Sequence, residues 1–283
     1  MPDLLKEVWI EQIIAGLYAS TASINNSVNH SDFIENKIVH VPNAGAAAKI
    51  LKNVRDLPIS VTSREDIDLT YKINDFKISP MLVENIEEIE LSYDKLASIT
   101  AENKAKLAEW VAKDIFKSWV AGVKNPINGS TGTVKGWLKQ IAKQFAKDKV
   151  PMQGRYVMMT EDLYYDFLET LSESESQAFH ASQDLQKGRL GTYMGFTIVG
   201  EFLLPKKVKL FAWSALSVSR AIGSLKLYSR EDDPTYYGSI VSGEMRAGGS
   251  VIRNDGKGVA AVDDDGVQDE APKEKDENVG GDE

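Results

Sequence analysis

The sequence contains three histidines, the side chains most often used for metal binding and for proton transfer near neutral pH. His30, His40 and His180 lie in unrelated segments, and none has a carboxylate or a second histidine at the spacing of a metal-ligand motif. We therefore predict structural or surface roles for all three. The chain has no cysteine, which excludes disulfides, thiolate catalysis and cysteine-ligated metals. The sequence predicts no metal-binding residue.

Glycine and serine motifs that carry known chemistry are also absent from the sequence. It has no Gly-x-Ser-x-Gly elbow to expose a nucleophilic serine, and no phosphate-binding loop of the Walker type. The spacing of Gly188, Gly191 and Gly195 differs from that of the dinucleotide-binding fingerprint. Turns and close packing explain these glycines better. We predict no catalytic residue, no cofactor-binding residue and no cofactor.

Two further patterns have both a functional and a structural interpretation. The acidic run Glu84–Glu90 resembles a metal cluster, but Ile86 and Ile89 interleave with the acids, which favours a solvated face beside a buried one. Trp110 and Trp119 fall on one predicted helix, where they would serve as stacking platforms for nucleic-acid bases. Both also lie on the apolar stripe of that helix, so we expect them to pack in the core.

The negative charge of the chain is concentrated at its C-terminal end. The formal net charge is −9, and residues 263–283 include ten acidic residues and two lysines. The rest of the chain is therefore close to neutral and lacks the basic bias of a dedicated nucleic-acid binder. The tail has no aromatic residue, so we predict that it is disordered and binds cations weakly. Because no apolar run approaches the roughly 18 residues that span a bilayer, we expect no membrane partner, and we expect no signal peptide.

Apolar periodicity predicts the first elements of the chain. Leu4–Ser20 has apolar residues near a 3.6-residue period and is predicted to be a helix. A polar loop or extended arm over Thr21–Asp32 follows it. Lys37–Val41 is predicted to be a strand, and Pro42–Gly45 to be a turn.

A hairpin is predicted next. Ile67–Ile73 alternates apolar and polar residues, as a strand with one buried face does. We expect its partner strand to include Ile59 and Val61, across a polar turn. The segment Asp56–Ser79 is thus predicted to be a projecting β-loop that packs on its own domain or on a neighbouring subunit.

Two long helices and a mixed region make up the rest. We predict one helix from Thr100, as its N-cap, to Gly122, and a second over Val134–Lys147, with a flexible joint at residues 125–132 between them. The further predicted elements are a strand at Arg155–Met159, a helix at Glu161–Leu171, a loop at Ser172–Gln186, strands at Thr192–Val199 and Val208–Trp213, a short helix at Ala215–Ile222, and paired strands over Ser239–Val262 with turns at Gly248-Gly249 and Asp255-Gly256.

The glycine-punctuated segment Gly188–Pro205, which turns tightly into a short β run and stops in a proline loop, resembles the central segment of the major capsid proteins of tailed bacteriophages. The order of the predicted elements is similar to that of the same family, which has the Hong Kong 97-type fold. Together with Glu87–Lys95 and Gly249–Ala260, the segment most resembles capsid proteins of phages that infect Bacteroidetes. The resemblance covers about Val8 to Val262.

The resemblance implies an α+β fold with an N-terminal arm, a projecting β-hairpin loop, a long spine helix, and peripheral and axial domains. The implied divisions are residues 1–35 for the arm, 36–55, 81–124 and 239–262 for the peripheral domain with its spine helix at 100–121, 56–80 for the extended hairpin loop, 125–238 for the axial domain, and 263–283 for the acidic tail. Neighbours in a closed symmetric shell would bury the arm and the hairpin.

The same resemblance implies a structural protein without enzymatic activity. It would assemble as pentamers and hexamers into an icosahedral shell, in the host cytoplasm, around the double-stranded DNA of a phage, which it would contact non-specifically. No segment ahead of the arm matches the fused scaffold of the family, so we expect a separate scaffolding protein, besides a portal and decoration or head proteins. One branch of the family links subunits covalently through lysine and asparagine; nothing around Lys72 or Lys77 marks such a link, and we predict none.

Two alternatives remain open at the level of the sequence. One is another shell or virion protein on the same fold, such as the shell of an encapsulin-like nanocompartment. The other is an α/β enzyme, which would need a clustered polar site that the sequence does not contain. Neighbouring portal and terminase genes would favour the capsid protein, and turnover lost on changing His40 or His180 would favour the enzyme.

Overall fold

The computed structural model of the chain describes residues 22–43, 50, 52, 67–84, 95–184, 188–223, 226–233 and 235–263. The strands are β1 (Val28–Asn29), β2 (Ile34–Glu35), β3 (Ile38–Asn43), β4 (Ile67–Lys72), β5 (Asn74–Glu84), β6 (Ile127–Asn128), β7 (Arg155–Met159), β8 (Arg189–Tyr193), β9 (Phe196–Val199), β10 (Val208–Ser214), β11 (Val218–Ile222), β12 (Lys226–Asp233), β13 (Gly238–Val251) and β14 (Val259–Asp263). The α-helices are α1 (Lys95–Ala121), α2 (Val134–Lys147), α3 (Glu161–Glu169) and α4 (Glu173–Ala181), and Ala22–Asn25 and Ser31–Phe33 form 3₁₀ turns. In these ranges, no helix is long and apolar enough to cross a membrane. The predicted arm helix and nearly all of the acidic tail lie outside the described residues.

The strands form three sheets. Five strands make the first, in the order β1-β11-β13-β12 with β5 also paired to β13. Six strands make the second, in the order β6-β14-β10-β7-β9-β8, and β2-β3-β4 make the third. Strand β13 joins the other strands of the first sheet. Its first part pairs with β5 and β12, and its last part pairs with β11.

The six-stranded sheet is buried on both faces, as alternation along β10 shows. Phe211 and Trp213 belong to one apolar core with α1, whereas Leu210 and Ala212 belong to a second core with α2, α3 and α4. Such a strand is apolar almost throughout, which is why the sequence predicts it well. Helix α1 thus lies on one side of this sheet and the three shorter helices on the other.

Helix α1 begins earlier than its predicted N-cap. It runs from Lys95 to Ala121, so Thr100 lies inside the helix and the prediction of a start there was wrong. The residues before Thr100, Lys-Leu-Ala-Ser-Ile, contain no helix breaker, and a capping hydroxyl alone does not start a helix. Other members of the predicted apolar stripe, including Val111, Ile115 and Trp119, are buried.

Trp110 is on the outside of α1, contrary to our expectation of core packing. Its side chain is 68% exposed, whereas that of Trp119 is 0% exposed. At about 100° per residue, position 110 lies far around the helix from the buried Ile115 and Trp119. Apolar neighbours in the sequence do not by themselves place an indole on the buried face of a helix, so the expectation for Trp110 was wrong.

The region between α3 and β8 contains a helix where the sequence suggested a loop. Helix α4 is capped by Ser172, whose side chain accepts a hydrogen bond from the backbone N–H of Glu175 while the Glu175 carboxylate accepts one from the Ser172 N–H. This Ser-x-x-Glu capping box was present in the sequence and was overlooked because the surrounding residues are polar. Helix α2 has the predicted bounds, with Thr133 as its N-cap.

Two predictions in the C-terminal half were wrong. The expected helix at Ala215–Ile222 is strand β11, and Gly248-Gly249, the expected turn, lies within β13. A Cβ on Gly249 would lie 2.7 Å from Nε1 of Trp119, so glycine is required there by packing. The predicted paired strands over Ser239–Val262 are β13 and β14, but these belong to different sheets.

The described part of the predicted hairpin pairs with an earlier strand. Strand β4 is antiparallel to β3, with Asn43 opposite Ile67 and Ile38 opposite Lys72. The expected partner around Ile59 and Val61 lies outside the described residues. Pro42 and Asn43, expected in a turn, form the end of β3. Strand β2 pairs only with Ile38 and Val39, so at Pro42 the strand is paired with β4 alone and tolerates a proline.

Candidate assembly surfaces

The three histidines lie in different parts of the fold, His30 after β1, His40 in β3 and His180 in α4. His40 Nδ1 lies 3.1 Å from Asp68 Oδ2 on the exposed β3–β4 pair, and His180 Nδ1 lies 2.8 Å from Gln183 Nε2 on α4. Burial lowers the pKa of His30. Within the described ranges, no group of three or more histidine, aspartate or glutamate side chains is arranged to hold a metal.

Glu175 is a carboxylate with several hydrogen-bond donors around it, and sequence reasoning missed it. It accepts hydrogen bonds from Lys135 Nζ at 2.7 Å, from the Ser172 N–H at 2.9 Å and from the Tyr193 hydroxyl at 3.1 Å. The Lys135 ammonium and the Ser172 donors lower the pKa of this carboxyl to about 2. All its partners hold it ionised, so it joins α2, α4 and β8 as an anchor and is unsuited to proton transfer.

The glycines of the Gly188–Pro205 segment have the predicted turn and packing roles. A Cβ on Gly191 would lie 2.4 Å from the Phe179 ring, so only glycine lets β8 approach α4 this closely. Met194 and Gly195, with φ of 49° and 80°, form the two-residue turn between β8 and β9. Met194 is exposed at this tip.

The residues just before β1 are fixed firmly to the body of the protein. Ser23 and Ile24 are buried, and Arg220 Nη1 donates hydrogen bonds at 3.1 Å to the carbonyl oxygens of Ile24 and Ser27. Trp213 Nε1 donates to the carbonyl oxygen of Asn26 at 3.1 Å. These contacts fix residues 23–27 to the apolar core that α1 shares with the six-stranded sheet.

The base of the β3–β4 pair is held by one aspartate. Asp75, at the start of β5, accepts hydrogen bonds from Lys37 Nζ and, at 2.9 Å, from Arg246 Nε on β13. The Lys37 hydrogen bond is the main cause that lowers the Asp75 pKa. Lys37 follows Asn36 in a turn where both residues have left-handed φ values, 47° and 68°, so this ion pair fixes an unusual turn to the first sheet.

Several large apolar side chains are exposed on the three-stranded end of the first sheet, where β13 lies between β5 and β12. They are Met81, Leu82, Tyr228, Tyr236 and Tyr237. Tyr237 is 78% exposed and has a φ of 50°, an uncommon conformation for a bulky side chain. We call these five residues the β-arm patch. Aromatic and methionine side chains of this kind are enriched at protein interfaces.

A second exposed pair lies where two loops meet. Met152 is 75% exposed and Leu216 is 61% exposed. The Ala215 N–H donates to the Gly154 carbonyl oxygen at 2.9 Å, which joins the loop before β7 to the loop after β10. Arg155 stabilises the first loop through hydrogen bonds to the carbonyl oxygens of Val150 and Pro151, at 2.5 and 2.9 Å. These loops are therefore rigid supports for exposed apolar groups.

No family model and no curated protein matches the sequence. Solved structures do match. The capsid of the cyanophage P-SCSP1u is similar over 84% of this chain and 86% of its own, with 14% identity and a TM-score of 0.66. The mature capsid of bacteriophage PhiM1 is similar over 84% and 85%, with 12% identity and a TM-score of 0.61.

A virus-like particle from Pyrococcus furiosus is also similar, over 92% of this chain and 99% of its own, with 8% identity and a TM-score of 0.60. At these identities the comparisons concern the fold. The mixed sheets, the long helix α1 and the three helices on the opposite side give the chain an α+β fold of the Hong Kong 97 type, as in phage capsid proteins.

Proposed function

We propose that the protein is a major capsid protein, which assembles as pentamers and hexamers into an icosahedral shell around double-stranded phage DNA. The observation that carries this proposal is the match of fold to phage capsid structures over 84% of the chain. The role is structural, without an enzymatic activity, and its place is the virion capsid.

The surface of the subunit supports assembly. The β-arm patch and the Met152–Leu216 pair present apolar groups on rigid elements, and burying them between subunits would remove that surface from water. The paired strands β3 and β4 lead into residues 44–66, which connect Asn43 to Ile67. We propose that this connection, with β3 and β4, makes the extended hairpin contact with a neighbouring subunit.

The domain roles follow from the same proposal. Residues 1–35 would be the arm, residues 36–55, 81–124 and 239–262 the peripheral domain, residues 56–80 the extended hairpin loop, and residues 125–238 the axial domain. The strand pairing favours two changes to these divisions. Strand β14 pairs with β10 and β6 of the six-stranded sheet and would belong to the axial domain, and β12 pairs with β13 and would belong to the peripheral domain. A separate scaffolding protein, a portal, decoration or head proteins and non-specific contact with DNA complete the proposal, with assembly in the host cytoplasm and an origin near phages of Bacteroidetes.

An encapsulin-like shell is the second candidate, and the archaeal virus-like particle favours it. The contents of the particle distinguish the two. A phage shell contains or accepts DNA and is made beside portal and terminase genes, whereas a nanocompartment contains a cargo protein.

The test is negative-stain electron microscopy of the protein expressed alone and with the adjacent genes. Closed particles or capsomer rings in either sample are expected. A variant in which a Gly-Ser turn replaces residues 46–64 should fold but fail to form shells. The replaced residues end before β4, so this strand stays intact. Its Tyr71 can therefore still pack in the core of the third sheet. Normal shells from this variant, or only a small monodisperse species from the unaltered chain, would contradict the proposal.

A further inference from the structure

Helix α2 presents a basic face to solvent. Its sequence contains four lysines and no acidic residue. Lys139, Lys143 and Lys147 are exposed, and at about 100° per residue they lie within an arc of about 80°, opposite the side of α2 that packs in the second core. Among the residues that the structure describes, none places a carboxylate within ion-pair distance of these three, whereas Lys135 pairs with Glu175. We call Lys139, Lys143 and Lys147 the α2 lysine stripe.

The other two helices on this side of the six-stranded sheet have the opposite charge. Helices α3 and α4 contain acidic residues and neither lysine nor arginine. A negatively charged chain that approaches this side of the subunit is therefore attracted to α2 and repelled by its neighbours.

The protein itself contains such a chain. Residues 264–283, which lie beyond the last described strand, include nine acidic residues, two lysines and no aromatic residue. A segment of this composition has little apolar surface to bury, so charge is the main attraction that it offers to a partner.

The acidic tail starts close to the first turn of α2. Strand β6 is parallel to β14, with Asn128 beside Asp263, so the tail leaves the six-stranded sheet at the same edge as the residues that lead into α2. The Gly129 N–H donates to the Asp263 carbonyl oxygen at 2.6 Å, and Lys209 Nζ donates to the Gly129 carbonyl oxygen at 3.1 Å. Lys209 Nζ in turn lies 6.0 Å from the centre of the Trp137 ring on α2.

The tail is long enough to reach the whole stripe from this point. Lys147 lies ten residues beyond Trp137, about 15 Å along the helix axis, and a helix is about 10 Å across. The eight residues from Asp264 to Ala271 alone span about 26 Å when extended. The acidic residues on both sides of Ala271 can therefore lie beside the three lysines.

We propose that the acidic tail, residues 264–283, binds the α2 lysine stripe of its own subunit. The tether keeps the tail at an effective concentration in the millimolar range, so that individually weak ion pairs between exposed groups suffice. Binding needs no regular structure in the tail, and salt weakens it because the charges are exposed. The bound tail competes with any other polyanion for these lysines, including duplex DNA. The contact lies within one subunit and does not depend on shell assembly.

The absence of cysteine from the sequence makes disulfide formation a direct test. Ala271→Cys in the tail is combined in turn with Gln140→Cys and Ala146→Cys, which are exposed positions on the two flanks of the stripe and change no charge. In a glutathione redox buffer of low ionic strength, at least one pair should form an intrachain disulfide, identified by peptide mass spectrometry.

The matched control keeps the tether and removes the charge of the stripe. It combines each cysteine pair with the substitutions Lys139→Gln, Lys143→Gln and Lys147→Gln. The intrachain yield should fall at least severalfold in this control, and also in about 1 M salt, where the Debye length is about 3 Å. Equal yields with and without the lysines, or disulfides only between chains, would overturn the proposal.

Binding of duplex DNA gives a second readout that needs no cysteine. In a tail-neutral variant, the aspartates and glutamates of residues 264–283 become asparagine and glutamine. At low ionic strength this variant should bind DNA at least severalfold more tightly than the unaltered protein, and most of the gain should disappear when the stripe is also changed to glutamine. A gain of the same size with and without the stripe would mean that the tail repels DNA without occupying α2, and it would overturn the proposal.

Discussion

Glu201 accepts hydrogen bonds from both the backbone N–H and the hydroxyl of Ser23, which lies 178 residues earlier in the chain. The Ser23 N–H is 2.9 Å from Oε1, and Ser23 is fully buried. Glu201 lies in the loop that follows β9, where the sequence showed only the end of a β run before a proline. The glycine-rich segment that carried the family resemblance therefore also anchors the N-terminal chain.

Glu201→Ala should destabilise the subunit by about 1–3 kcal/mol, because the two donors of Ser23 lose a charged acceptor in a buried site. A chain of this size would then melt roughly 2–8 °C lower. Glu169→Ala, which removes an exposed carboxylate on α3, is the control and should shift the melting temperature little. Equal shifts for the two variants in a thermal melt would contradict the anchoring role.

Glu175 should give the subunit a defined dependence on acid. Its pKa is lowered from 4.5 to about 2 by Lys135 and Ser172, so its contribution to stability is complete above about 4.5 and is lost as the pH falls towards 2. The difference in melting temperature between the unaltered protein and Glu175→Gln should therefore shrink over this window. Glu173→Gln, in the same first turn of α4, is the matched control. A difference that stays constant with pH would contradict the prediction.

Replacement by phenylalanine should cost much more stability at Trp119 than at Trp110, the two tryptophans of α1. Trp119 Nε1 donates to the Ser219 carbonyl oxygen at 2.8 Å inside the core, so Trp119→Phe leaves a buried acceptor and a cavity, at a cost of about 2–4 kcal/mol. Trp110→Phe changes an exposed ring and should alter stability by less than about 0.5 kcal/mol. Denaturant unfolding measures both. A large loss from Trp110→Phe would mean that this ring is buried.

The β-arm patch should matter for assembly and not for folding. Tyr237→Asn keeps a residue that tolerates the left-handed backbone conformation, and Tyr236→Ser removes the neighbouring ring. The double variant should have an unchanged melting temperature and assemble poorly in electron microscopy. Full assembly would exclude the patch from the subunit contacts.

The sequence predicts best where one physical signal dominates. Val208–Trp213 was identified because a strand buried on both faces is apolar throughout, and α2 because Trp137, Ile141 and Phe145 repeat every turn. The overall fold came from the order of such elements and was confirmed by the capsid structures.

The errors arise where a local signal has two meanings. Gly248-Gly249 has the composition of a turn, but the glycines are there because α1 and β4 press against β13. The Ser172–Glu175 capping box was hidden by polar neighbours. The Ser23–Glu201 and Asp75 contacts join distant parts of the chain, and no periodicity within one segment reports on them.

Gly191 gives the most direct test of close packing between α4 and β8. A Cβ at this position would lie 2.4 to 2.6 Å from three atoms of the Phe179 ring, which is itself fully buried against Phe167. Gly191→Ala should therefore cost about 1–3 kcal/mol through overpacking. Phe179→Leu alone should cost a similar amount, since it removes ring contacts. The double variant should be more stable than the sum of the two losses predicts, because leucine leaves room for the new methyl group. Additive losses in chemical denaturation would show that the two positions do not press on each other, and the role of glycine in the Gly188–Pro205 segment would then rest on its turn alone.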